Sequence, residues 1–260
     1  MGWDAVAAEW WKLRSVRSTY WTLAATAVFL VFVLVLAVQM AQIWDGLSAE
    51  RRADFELRPL QLLGGWGAAL CMAVLGVLSV TSEYRTGMVR STLAVMPRRG
   101  TVIAAKAAVV GTVALVAGEA VSIGAFLGTR LAVGDRPFPD QTASVAHDLP
   151  GFAVAGTSVA VFALLGVSLG VLLRSTAGAL VSVVAVWHVL PLLVDHLPEP
   201  WNERAASVLP GALPGQITGF GTDHSIYGDL LPPGAAVAAT LAYAFVPLVL
   251  AAFVLSRRDA

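Results

Sequence analysis

Six stretches of this chain each carry roughly 20 consecutive, mostly apolar residues, and no other feature restricts the fold so severely. They run about Tyr20 to Met40, Leu62 to Val80, Val102 to Leu127, Phe152 to Leu173, Ala177 to Val194 and Ala235 to Leu255. A helix rising ~1.5 Å per residue needs about that length to cross a ~30 Å hydrocarbon core, where backbone groups must be satisfied within the helix itself. The expected fold is all-α and integral to a membrane, with six transmembrane helices in one domain. Composition agrees: 57% of residues are hydrophobic and 13% charged, outside the usual soluble range. The fifth stretch is short and Pro191 lies near its end, which predicts a bend or a re-entrant piece packed against protein. Lys12, Arg14 and Arg17 flank the first stretch as in a signal peptide, but the apolar core is too long and no small-residue cleavage site follows, so it is expected to stay as a span.

Charge speaks by position, since the formal net charge is zero and no basic field points to nucleic acid. Of the 17 lysines and arginines, eleven fall on the side holding both termini and six on the other, so the termini are expected in the cytoplasm. The acids follow loosely, four inside and twelve outside, with Glu119 left within the third span. The excess of arginine over lysine and the abundance of alanine and valine suggest a GC-rich bacterium, hence its plasma membrane. The longest outer loop, Asp195 to Gly234, is rich in proline and glycine and is expected to hold short helices and turns.

Two connections carry more than topology. From Trp3 to Thr19, Trp3, Val6, Trp10, Leu13 and Val16 recur at helical spacing among polar residues, an amphipathic helix suited to the membrane interface and to anionic lipid. Between spans two and three, Thr81 to Gly100 mixes charged, hydroxyl and apolar residues. Thr81 or Ser82 is placed to cap a short helix, Met88, Val89 and Leu93 to give it an apolar stripe and Pro97 to stop it, with Glu83, Arg85 and Arg90 presented to a partner. The bland readings are a positively flanked extension of the first span and a loop of topogenic charge.

Glu9-Trp-Trp-Lys-Leu-Arg-Ser-Val-Arg-Ser-Thr19, then Ser82-Glu-Tyr-Arg-Thr-Gly-Met-Val-Arg-Ser-Thr-Leu93 with Pro97-Arg-Arg99 and Lys106, resembles the type-2 ATP-binding-cassette export permeases. The likeness covers the whole chain in length and six-span layout, but only these motifs are specific. It implies that Glu9, Trp10, Lys12, Arg14 and Arg17 belong to the family's elbow helix. It also implies that Glu83, Tyr84, Arg85, Thr86, Gly87, Met88 and Arg90 form a coupling helix that docks on an ATPase. No Gly-x-x-x-x-Gly-Lys-Ser/Thr loop is present, so this chain is expected not to be an enzyme and to bind no cofactor of its own. ATP and Mg are expected on two copies of a separate cytoplasmic ATPase, and a second copy of this chain or a homologous permease completes the pathway. The apolar spans favour a hydrophobic or amphipathic cargo such as a drug, an antibiotic or a lipid.

Glu119 and His188 are the candidate pathway residues, because ionisable groups within spans are costly unless used or paired. The bland reading packs both between helices. His147, His196 and His224 lack ligand spacing, so no metal site is expected, and Cys71 reads as a small buried hydrophobe without a disulfide partner. Gly124 with Gly128, and Gly166 with Gly170, permit close helix approach within or between chains. Three rival readings remain: an intramembrane hydrolase, for which Ser158, Ser168 and Ser182 lack a nucleophile motif; an ion-coupled secondary transporter, for which no repeat is visible; and a non-transporting anchor or sensor subunit.

Overall fold

All six apolar stretches are helical in the computed structural model, which describes residues 2–53, 55, 60–96, 98–136, 145–219 and 230–257. Among the described residues there is no strand. The protein is all-α, with six helices long and apolar enough to cross a membrane, and so is a multi-pass membrane protein. These are α2 (Arg17–Gly46), α4 (Leu60–Thr86), α6 (Arg99–Val133), α7 (Val145–Leu173), a composite fifth span and α12 (Pro233–Arg257). The fifth span joins α8 (Thr176–Val184), a π-helical turn (Ala185–Val189) and α9 (Leu190–Asp195). Shorter helices are α1 (Gly2–Ser15), α3 (Ala49–Ala53), α5 (Met88–Val95), α10 (Trp201–Ser207) and α11 (Leu213–Thr218).

Several helices outrun their apolar cores. With 35 residues, α6 is about 52 Å long, more than a ~30 Å slab requires, so part of it extends beyond hydrocarbon. It ends at Gly134, whose positive φ of 61° turns the chain while its N–H closes on the Arg130 carbonyl. Ahead of Pro191 the span carries a π turn, in which the Leu190 N–H reaches back five residues to Ala185. Proline has no N–H to continue the α ladder, and the wider turn places it in the first turn of α9. The composite span is helical throughout Thr176–Asp195.

The centre of the bundle is the crossing of α4 and α7, flanked by α6. Gly76 and Gly166 set that crossing: a Cβ on Gly76 collides with the Ala163 carbonyl oxygen, and one on Gly166 with that of Ala73. Bare backbone lets the two helices touch. Gly170 lies on Val80 and Val77, whereas Gly124 and Gly128 lie under Leu30 and Leu34 of α2, so both glycine pairs serve packing inside the chain. α2, the fifth span and α12 turn rows of valine, leucine and phenylalanine outward, as lipid-facing helices do. After Asp195 the chain forms α10 and α11, and buried Gln216 pins α11 by donating to the Ser207 carbonyl (2.7 Å) and accepting from the Leu231 N–H (2.8 Å). At that same end of the bundle, Arg136 grips Asp45 with two bonds of 2.9 and 2.6 Å, tying the end of α6 to the end of α2.

Candidate functional site

The most polar construction in the interior lies at the end of the bundle that holds α1, α5 and the C-terminus of α12. Its parts come from four elements. α1 packs on α6 through Ala5, Glu9 and Leu13, spaced four apart on one face, which drives the Glu9 carboxylate into the contact. α4 brings Glu83 in its last turns, α6 brings Lys106 in its second turn, and α1 adds Lys12 one turn beyond Glu9. Glu9, Glu83 and Lys106 are 3, 5 and 6% exposed, values that for charged side chains demand partners.

The partners are each other. Lys106 Nζ donates to Glu9 Oε2 at 2.5 Å and to Glu83 Oε1 at 2.7 Å, and Lys12 Nζ donates to Glu9 Oε1 at 2.7 Å and to Glu83 Oε1 at 3.2 Å. Four charges of alternating sign therefore close a ring whose net charge is zero. The third hydrogen of Lys106 reaches the Ser79 carbonyl at 3.1 Å, and that of Lys12 reaches Thr92 Oγ1 on α5 at 3.2 Å. Each ammonium thus spends all three donors, the condition under which burying charge is tolerable. Burial by itself pulls the Lys12 ammonium down, but its hydrogen bond to Glu9 and the charges of Glu83 and Glu9 outweigh that and hold it above the ordinary lysine value.

The ring corrects the sequence reading at Glu83. Expected to face a partner, it is enclosed, because α4 continues unbroken through Thr86 and turns it into the bundle. Thr81 and Ser82 likewise cap nothing, and Thr81 Oγ1 donates back to the Val77 carbonyl inside the same helix. The break falls at Gly87, whose φ of 72° is left-handed, and α5 starts after it without a side-chain cap. Arg85, Thr86, Gly87, Met88 and Arg90 are exposed around that break, and Tyr84 is half-buried with the Arg174 guanidinium 5.3 Å from its ring centroid. Among the described residues neither Arg85 nor Arg90 has an ion-pair partner. Pro97 and the Leu93 side chain lie outside the described residues.

The amphipathic segment is likewise divided differently from the expectation. α1 stops at Ser15, Val16 is extended, and Arg17 opens α2, so Arg17 belongs to the first span. The stripe splits too, with Val6 and Leu13 packed on the core and Trp3, Trp10 and Trp11 exposed. Arg14 lies 5.9 and 5.5 Å from the rings of Trp10 and Trp11, forming an outward aromatic and cationic face.

The ring and the two candidate pathway residues are separate. Glu119 sits on α6, about 20 Å along the helix from Lys106, half-buried against bare Gly156 of α7. Among the described residues it has no hydrogen-bond or ion-pair partner. His188 lies in the π turn with its ring edge-on to Trp66 at 5.3 Å, and its buried Nδ1 has no partner there. Beside it Trp187 stacks on Phe162 at 3.5 Å, and Trp66 continues to Phe29 at 6.2 Å, a chain of rings from α7 to α2. No group of three potential metal-ligating side chains occurs among the described residues. His224 and the side chain of His147 lie outside them.

Sequence reasoning counted Lys106 as topogenic charge and did not join it to Glu9. The available signal was position: Lys106 lies well inside an apolar run, and Glu9 shares a helix face with Ala5 and Leu13. No family model matches the chain, and no curated protein matches it.

Proposed function

We propose that this chain is the membrane-spanning permease subunit of an ATP-driven exporter, with α5 and the turn before it as the surface on which a separate ATPase docks. The observation that carries the reading is the mounting of α5. It is a short helix that follows the left-handed Gly87, with Arg85 before it and Arg90 on it, neither having an ion-pair partner among the described residues. Through Lys12 and Glu83 it connects to a charge ring that joins α1, α4 and α6. A surface so mounted converts a push from outside the membrane into displacement of spans, because a ring of buried ion pairs moves as a unit. The resemblance of Glu9 to Thr19 and Ser82 to Leu93 to the type-2 export permeases gives the same assignment.

On this reading the ATPase-facing groups are Arg85, Thr86, Met88 and Arg90. Glu83 and Glu9 act inside as anchors. Two ATPases carry ATP and Mg, and two permeases enclose one pathway for a hydrophobic or amphipathic cargo. The surface of α5 and both termini face the cytoplasm of a bacterium, and Trp3, Trp10 and Trp11 meet the lipid headgroups.

The test is affinity capture of the tagged, detergent-solubilised chain from its native membrane, followed by identification of its companions. A stoichiometric ATPase with a phosphate-binding loop is expected, and Arg85→Glu with Arg90→Glu should release it while membrane insertion is kept. Capture of the chain alone, active in liposomes without ATP, overturns the reading in favour of ion-coupled transport, which the unpartnered Glu119 within a span would then serve.

A further inference from the structure

The contacts of the ring differ in kind. Three of its four ion pairs join α1, α4 and α6 to one another, the fourth lies within α1, and the ionic side chains of Glu9, Glu83 and Lys106 are buried. α5 is held by something weaker. Its side chain in the cluster is Thr92, a neutral acceptor, and the bond from Lys12 Nζ is, with the Lys12–Glu83 pair, the longest that Lys12 makes, at 3.2 Å. Lys12 is also the most exposed member, its side chain 22% accessible, so water can replace Thr92 as acceptor at small cost. Thr92 and Val89 of α5 also line a small cavity with Tyr84, Leu255 and the ring residues Glu83 and Lys106, so the contact there leaves some unfilled space. Ahead of α5, Gly87 is left-handed and supplies a pivot.

From this asymmetry we infer that the Lys12–Thr92 hydrogen bond is a latch: it holds α5 against the elbow helix α1 and opens by rotation about Gly87, while the charge ring stays closed. Lys12 and Thr92 are then positioning residues that set how far α5 stands from the bundle. The elbow helix, itself anchored on α6 and by the ring, becomes the element that α5 is latched to. Opening exchanges a neutral acceptor for water, whereas opening the ring strands a buried charge, so the first gives way before the second.

The role of the latch in transport rests on α5 being the ATPase-docking helix, but its existence does not. It is tested on the full-length chain alone, in detergent or nanodiscs, by amide hydrogen exchange of wild type, Thr92→Val and Thr92→Ser. Valine keeps the shape and removes the acceptor; serine returns it. With Thr92→Val, amides of Met88–Val95 should exchange on the order of tenfold faster, while those of α1 and of the adjoining ends of α4 and α6 keep their protection, and Thr92→Ser should match wild type. Unchanged exchange in α5, or loss of protection in α1, α4 and α6 together with α5, overturns the latch. Thermal unfolding followed at Cys71 confirms that each variant is folded. A chain whose α5 loosens in this way but which captures no ATPase upholds the latch and refutes the docking assignment.

Discussion

Replacing Lys106 with methionine tests whether the ring anchors this end of the bundle. Methionine preserves much of the length and volume of the lysine stem among Val102, Val109 and Val110, so the change is chiefly one of charge. What remains is Glu9 and Glu83, each about 5% exposed or less, with Lys12 the one counter-ion among the described residues. One net negative charge is then enclosed, and the Ser79 carbonyl loses its side-chain donor. Breaking a buried pair in this way costs about 3–5 kcal/mol, because the stranded partner keeps its desolvation penalty. At roughly 2–4 °C per kcal/mol for a chain of this size, the melting temperature should fall on the order of 10 °C. Cys71, the single cysteine, is partly buried in α4, so a thiol-reactive fluorophore reads unfolding at a native position without any engineered label. Adding Glu83→Gln to Lys106→Met leaves Glu9 with Lys12 and restores neutrality, so the double variant should regain about half of the loss or more. A single variant that melts within about 2 °C of wild type, or a double variant below the single, refutes the anchor.

Lys12 gives a pH test with a definite sign. Its folded value lies above the ordinary lysine value, so the stability it adds is complete below about pH 10.4 and is lost as pH rises through the folded value. The difference in melting temperature between wild type and Lys12→Met should be flat from about pH 6 to 9 and should narrow above about 10.5, and a difference already closing near neutrality refutes the pairing. At the α4–α7 crossing, Gly76→Ala or Gly166→Ala forces a methyl group into a carbonyl oxygen, and either should lower stability by about 1–3 kcal/mol, seen as a fall in melting temperature at Cys71. Glu119→Gln removes no described partner, so melting should be unchanged or raised; a change in flux or in its pH profile then assigns the carboxyl to the pathway, and unaltered flux excludes it. Arg136→Gln at the far end breaks a solvent-screened ion pair with Asp45 and should move the melting temperature only slightly beside Lys106→Met.

The spans were legible because a membrane reduces the problem to length and apolarity, and α2, α4, α6, α7 and α12 all contain the stretches that those criteria select. Helix ends were less legible. Nothing apolar marks where α2 stops at Gly46 or where α4 stops at Thr86, since outside hydrocarbon the helix continues as long as its residues favour it and a left-handed glycine has not arrived. The motif Ser82 to Leu93 shows the consequence. Read as one short helix it presents Glu83, Arg85 and Arg90 together. Folded, it is the end of α4, a glycine pivot and α5, which bury Glu83 and leave the arginines outside.

The ring itself joins residues 97, 71 and 23 positions apart, so no periodicity could reveal it. Yet its members share one property that a sequence does display: each charge interrupts a face that is otherwise apolar. Glu9 follows Ala5 and precedes Leu13, Glu83 follows Val80, and Lys106 stands between Val102 and Val110. A charge forced onto a packed face requires an opposite charge on another packed face, and these sum to zero once Lys12 is included. Applied along the rest of the chain, the same rule isolates Glu119. It too interrupts an apolar span, and among the described residues no opposite charge meets it. Pairing ties α1, α4 and α6 together, and an ionisable group held in a span without it is costly, so the Glu119→Gln comparison is the one that asks whether that carboxyl has a use beyond packing.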